Sequence, residues 1–191
     1  MIRRLLRLLA PLGDLVAGIH LRIGIPKMMP RDYNMVLGML RPGDVILTKE
    51  SFRPTNLFIK GRTKHAAMFV GKVSAKDDGI VEATWPEARY TNLISIWQYA
   101  SDVVVLRPTF TDAAGASDAA NAARSLIGTP YDATFAHGEE ALYCSELIDI
   151  AYKHRLDSLR ESHLGADGVI LPDALRTSKL FRTIWDSNSK V

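Results

Sequence analysis

Four short apolar runs, each fenced by turn residues, limit what this chain can fold into more than anything else in it. Val45-Ile46-Leu47-Thr48 follows the turn Arg41-Pro42-Gly43-Asp44, and His65-Ala66-Ala67-Met68-Phe69-Val70 stops at Gly71. Ile80-Val81-Glu82-Ala83-Thr84 lies between Gly79 and Trp85-Pro86, and Val103-Val104-Val105-Leu106-Arg107 closes at Pro108. Runs of this length, rich in β-branched residues and bounded by glycine and proline, read as strands. The polar stretch 74–79 suits an antiparallel hairpin between the second and third. Beyond Pro108 the period changes. The alanine-rich stretch 117–126 is helical, with Ser117 or Asp118 as its cap. Leu147, Ile148 and Ala151 fall at helical spacing behind Cys144, and Pro172-Asp173 opens a short helix ending near Thr177. Residues 181–185 read as a last strand, 93–97 as a strand or turn, and 56–60 as a helical turn within a polar loop. The pattern is α+β, an antiparallel sheet with helices packed on a side.

With 191 residues, 47% of them hydrophobic and 24% charged, the chain suits one domain with a sizeable core and an accessory N-terminal segment. A net charge of +3 is too small for a nucleic-acid binder, which carries a dense basic patch. The single cysteine excludes an internal disulfide and argues against a cysteine-based metal cluster.

Residues 1–30 differ from the rest. Ile2, Leu5, Leu6, Leu9, Leu12, Val16 and Ile19 recur at helical spacing, with Arg3, Arg4, Arg7 and Asp14 off that face. Arg7, Pro11 and Asp14 interrupt the apolar run, so it reads neither as a secretory signal nor as a membrane span. An amphipathic helix remains. It either packs on the domain formed by residues 31–191 or lies on an anionic membrane surface through residues 1–29. A cytoplasmic or peripheral-membrane location is expected rather than secretion.

Cys144 stands near a helix start, where unpaired N–H groups and the helix dipole favour a thiolate. A buried free cysteine is also commonly a small hydrophobe. A nucleophilic thiol needs a base, and five histidines are available. His20 lies in the N-terminal segment and His163 in a polar loop. His154 has an ordinary role at the end of the Cys144 helix, and His137 lies in the loop before that helix. His65 opens an otherwise apolar strand, and Glu82 sits inside another, where an unpaired carboxylate is costly. Paired strands would let the two side chains satisfy each other and fix the imidazole tautomer.

Leu40-Arg41-Pro42-Gly43-Asp44, His65-Ala66-Ala67-Met68-Phe69-Val70-Gly71, Val81-Glu82-Ala83, Gly128-Thr129-Pro130-Tyr131-Asp132 and Tyr143-Cys144-Ser145-Glu146-Leu147 occur in that order. In this the chain resembles the circularly permuted NlpC-type cysteine hydrolases, the YiiX/YebB-like branch of the papain-like superfamily, over roughly residues 40–180. The resemblance implies a permuted papain-like fold with Cys144 as nucleophile, His65 as base and Glu82 as the orienting third member. It implies cleavage of a peptide or N-acyl amide through a thioester, the chemistry of a cysteine peptidase or amidase, without cofactor or metal. Two alternatives stay open: a lipid-directed acyltransferase or thioesterase of the lecithin-retinol acyltransferase-like type, and a non-catalytic ligand-binding domain. The expected partner is a small peptide or an acyl-amide or lipid substrate.

Overall fold

The computed structural model describes residues 29–50, 59–74, 77–135, 140–164 and 166–189. The expected N-terminal amphipathic helix, its membrane contact, His20, His137 and most of the expected turn at 56–60 lie outside them. Helix α1 (Pro30–Met39) leads to β1 (Val45–Glu50), β2 (His65–Ser74), β3 (Asp77–Ala83) and β4 (Ala88–Asn92). A short α2 (Leu93–Trp97) precedes β5 (Ala100–Pro108), α3 (Ala113–Ser125) and α4 (Cys144–Ala151). Strands β6 (Arg160–His163) and β7 (Ala166–Ile170), helix α5 (Pro172–Thr177) and β8 (Phe181–Asp186) complete the order.

The six-stranded sheet runs β4-β3-β2-β1-β5-β8 with every neighbour antiparallel, and β6 and β7 form a separate pair. Side chains alternate across a strand. Val45, Leu47, Ala66, Met68, Val81, Val104 and Leu106 therefore form one core with α3 and α4, while Ile46, Phe69, Ile80, Val103 and Val105 form another with α1 and α2. This is the α+β arrangement of an antiparallel sheet packed against helices. Helix α4 supplies Leu147 and Ile148, both fully buried, and each contributes about 1.5–3 kcal/mol on removal from water. No helix among the described residues is long and apolar enough to cross a membrane.

Gly43 explains how the turn before β1 sits beneath the helices. Its φ is 90°, a left-handed value, and an added Cβ would meet the Ala116 carbonyl oxygen at 2.5 Å. The Tyr152 hydroxyl donates to the Gly43 carbonyl at 2.6 Å, tying the end of α4 to this turn.

Three elements differ from the sequence-based expectation. Helix α3 starts earlier, because the Asp112 carboxylate accepts from the Gly115 N–H at 2.9 Å and caps it there; Ser117 and Asp118 lie inside the helix. Residues 93–97 are a helical turn, capped by Asn92 accepting from the Ser95 N–H. Helix α1 has no counterpart in the sequence-based expectation; Pro30 stands in its first turn.

Candidate functional site

The segment that delivers His65 is held from both sides. The Arg62 guanidinium donates to Asp102 and Asp186 at 2.6–2.8 Å. The Thr63 N–H and hydroxyl both donate to Asp173. His65 then starts β2 opposite Thr48, and Glu82 lies opposite Ala67, two positions along. Same-face diagonal neighbours on paired strands stand close enough for long side chains to meet. The His65 Nε2 lies 2.8 Å from the Glu82 Oε2. The other Glu82 oxygen accepts from Arg89 Nε and Nη2 at 3.0 and 2.9 Å. The sequence gives no sign of Arg89, because β4 is an edge strand without an apolar alternation to mark it.

Cys144 is the first residue of α4, after Tyr143 as N-cap. Its neighbours pin that turn: the Tyr143 hydroxyl accepts from the Ile170 N–H, and the Ser145 hydroxyl donates to the Ile170 carbonyl. The Cys144 thiol and the His65 ring influence each other's protonation, which places the two groups side by side. His65, Glu82 and Cys144 are thus brought together, with Arg89 as an unforeseen fourth member.

Charge follows from this chain of contacts. Burial pushes the Glu82 carboxyl up, but the His65 bond and then Arg89 outweigh it and hold the group at about 2. Burial pushes the His65 imidazole down, yet the bonds to Cys144 and Glu82 raise it to about 10. Burial likewise opposes the Cys144 thiolate, while the hydrogen bond and charge of His65 lower its pKa below the ordinary thiol value. The thiol itself is closed off. Only 4% of Cys144 is exposed, and it belongs to the main apolar core.

A second group forms at the opposite end of α4. There the chain leaves the helix through Lys153 and His154, both at positive φ, and the His154 N–H bonds back to the Asp149 carbonyl at 2.8 Å. That curl brings the His154 Nδ1 to 3.1 Å from the Asp149 carboxylate. Asp149, His154 and Asp157 each offer one ligand atom, all within 4.8 Å of one another; Asp149 is buried and the other two are exposed. The Arg160 guanidinium reaches into the group, donating to Asp149 and, at 2.8 Å, to Asp157. The expected role of His154 as a mere helix-end residue missed this, because Asp149 and Asp157 follow no short ligand motif. His163 was expected in a polar loop and is instead buried at the end of β6.

Comparison with known proteins now bears on these two sites. Residues 39–185 match the model of a family described as permuted papain-like amidase enzymes, YaeF/YiiX, C92 family. The chain belongs to this family. A similar solved structure is described as the metalloprotein yiiX from Escherichia coli O157:H7. It has a TM-score of 0.62 and 20% identity, covering 77% of this chain and 97% of that one. No curated protein matches. The fold is thereby established as a circularly permuted papain-like arrangement.

The expected function is corrected. A cysteine hydrolase, peptidase or amidase working through a Cys144–His65–Glu82 thioester was anticipated without a metal. The described residues instead assemble the carboxylate–imidazole–carboxylate set Asp149–His154–Asp157. The physical reason lies in access. Cys144 is packed among core side chains with little access from solvent, whereas His154 and Asp157 face solvent. The closed-off thiol and the solvent-facing ligand set together count against the expected cysteine-nucleophile reading.

Proposed function

We propose that the chain is a metal-associated ligand-binding domain, with Asp149, His154 and Asp157 as the ligand set for a divalent cation. The observation that carries this reading is the convergence of their three ligand atoms beside a solvent-facing turn. Two carboxylates and an imidazole suit borderline and hard divalent ions such as zinc or manganese. The donor types fit a metal, but the Asp149 carboxylate already accepts from the Leu156 N–H, His154 and Arg160. A cation must therefore displace Arg160, and Arg160 acts as a built-in competitor. The bound ion would supply positive charge and open coordination positions for a ligand. Calorimetric titration of the metal-free protein with zinc and with manganese tests the reading. The expected outcome is saturable one-to-one binding that His154→Gln and Asp157→Asn each weaken; no binding, or binding unchanged in both variants, overturns it.

The His65–Glu82–Arg89 contacts beside Cys144 favour a second reading, in which a ligand that reaches these largely buried groups is held by Cys144, His65 and Glu82. A screen of peptide amides and acyl esters, read as binding and as turnover, checks it. Ester turnover lost in Cys144→Ser would move the reading to the lipid-directed acyltransferase class, and binding without turnover would support the non-catalytic one. The basic amphipathic pattern of residues 1–29 supports a peripheral membrane contact and a cytoplasmic or membrane-surface location. Equal sedimentation with liposomes after deleting that segment would refute the contact.

A further inference from the structure

We propose that a cavity at the end of the sheet away from His65 is a binding site for a phosphate-type anion. It has a volume of about 320 Å³ and lies between the turn before β1, the ends of β5 and β8, and the first turn of α3. Arg41, Arg107 and Arg182 line it, together with the hydroxyl residues Thr111 and Ser117 and the helix-start residue Ala113. Asp44 and Asp112 are its acidic members, and both are already engaged. Asp44 takes two bonds from the Arg107 guanidinium, at 2.8 and 2.6 Å, and Asp112 caps α3 through the Gly115 N–H.

Arg41 and Arg182 have no ion-pair partner among the described residues. Their charge is therefore unbalanced, and strand register makes the imbalance costly. Arg182 stands directly opposite Arg107 in the β5–β8 pair, and like charges at opposed positions destabilise a sheet. Arg107 is neutralised by Asp44; Arg182 calls for a counter-charge from outside the chain. The 13-residue helix α3 begins at the same cavity, adding N-terminal dipole and free N–H groups. Guanidinium forks, hydroxyls and helix N–H groups together are complementary to the oxygens of a phosphate monoester. The site is separate from the His65 end: Thr48, the His65 partner on β1, lies four residues beyond Asp44, about 13 Å on.

The shared chemistry is a phosphate monoester, carried either by a soluble molecule or by a lipid headgroup. The full chain, Arg182→Gln and the Arg41→Gln/Arg182→Gln double variant are titrated calorimetrically with phenyl phosphate at constant ionic strength. The same proteins are sedimented with phosphatidylcholine vesicles with and without phosphatidic acid. Both arginines are exposed, and removing Arg182 relieves its repulsion with Arg107, so melting temperatures at or slightly above that of the wild type are expected for the variants. Arg182→Lys, which keeps the charge but not the fork, provides a rescue control if Arg182→Gln does not fold. Losing one charged fork should weaken binding about tenfold. Phenyl phosphate binding lost in the double variant supports a soluble ligand. Vesicle binding that needs phosphatidic acid and both arginines supports a headgroup. Failure of both probes, or equal binding by wild type and double variant, overturns the proposal.

Discussion

The two ends of helix α4 carry opposite solutions to the same electrostatic problem. At its N-terminus Cys144, His65 and Glu82 form a closed series in which each polar group is satisfied by the next, out of water and with Arg89 at the rim. At its C-terminus the buried carboxylate of Asp149 is met by His154 from the following turn and by Arg160 from the start of β6. The first arrangement fixes one protonation pattern and gives little access. The second leaves an imidazole and a carboxylate facing solvent, with the Arg160 guanidinium as the competitor for any metal. A polar cluster can therefore be built mainly to hold charge or mainly to exchange it, and burial distinguishes the two.

The sharpest way to break this comparison is to remove the carboxylate from the closed end. Glu82→Gln leaves the His65 imidazolium and Arg89 without their counter-ion, and breaking one partner out of a buried pair costs roughly 3–5 kcal/mol. Urea denaturation should show that loss near neutral pH. The pH dependence has a definite sign. Glu82 is held at about 2, below its ordinary 4.5, so its contribution is present above 4.5 and disappears as pH falls towards 2. His65 is raised from 6.5 to about 10, so its contribution is complete below 6.5 and is lost as pH rises through 10. Wild-type stability should fall at both extremes, and Glu82→Gln should flatten the acid limb. An unchanged acid limb would mean that Glu82 does not hold the proton balance of this end.

The open end responds to a different substitution. Arg160→Gln removes the competing cation from Asp149 and Asp157. Without metal the variant should lose about 1–3 kcal/mol, because Asp149 keeps only His154 and the Leu156 N–H. With zinc it should recover, and the metal-induced rise in melting temperature should exceed that of the wild type, since a ligand binding only the folded state stabilises it in proportion to its affinity. A smaller rise in the variant would indicate that Arg160 assists the metal or that the metal binds elsewhere.

The contrast also explains what the sequence disclosed. The apolar runs marked β1, β2, β3 and β5, since these central strands are buried on both faces and must be continuously hydrophobic. His65 and Glu82 stood out for the same reason, as polar residues interrupting such runs. Strands β4, β6 and β7 passed unnoticed because their exposure lets Arg89, Arg160 and Glu161 occupy positions that carry no periodic signal. The Asp149–His154–Asp157 group was hidden for a conformational reason. Its members meet only because two non-glycine residues adopt left-handed backbone, which no local propensity announces. The family pattern identified the fold, while the burial of Cys144 and the exposed ligand set became visible only in three dimensions.

The smallest expected effect sharpens the boundary between closed and open ends. Arg89 bonds to Glu82 through two nitrogens, yet about half of its side chain is exposed, at 49%. Water screens such a pair, so Arg89→Gln should cost no more than about 1 kcal/mol in chemical denaturation. Its removal should still let the Glu82 carboxyl rise, because one of the groups opposing burial is gone. The His65 bond remains as the larger influence, so most of the depression should survive. Measured by carboxyl NMR titration, a modest upward shift with nearly unchanged stability would identify Arg89 as a screened rim contact. A loss comparable to that of Glu82→Gln would instead place Arg89 inside the closed network, with the boundary of that network one residue further towards solvent.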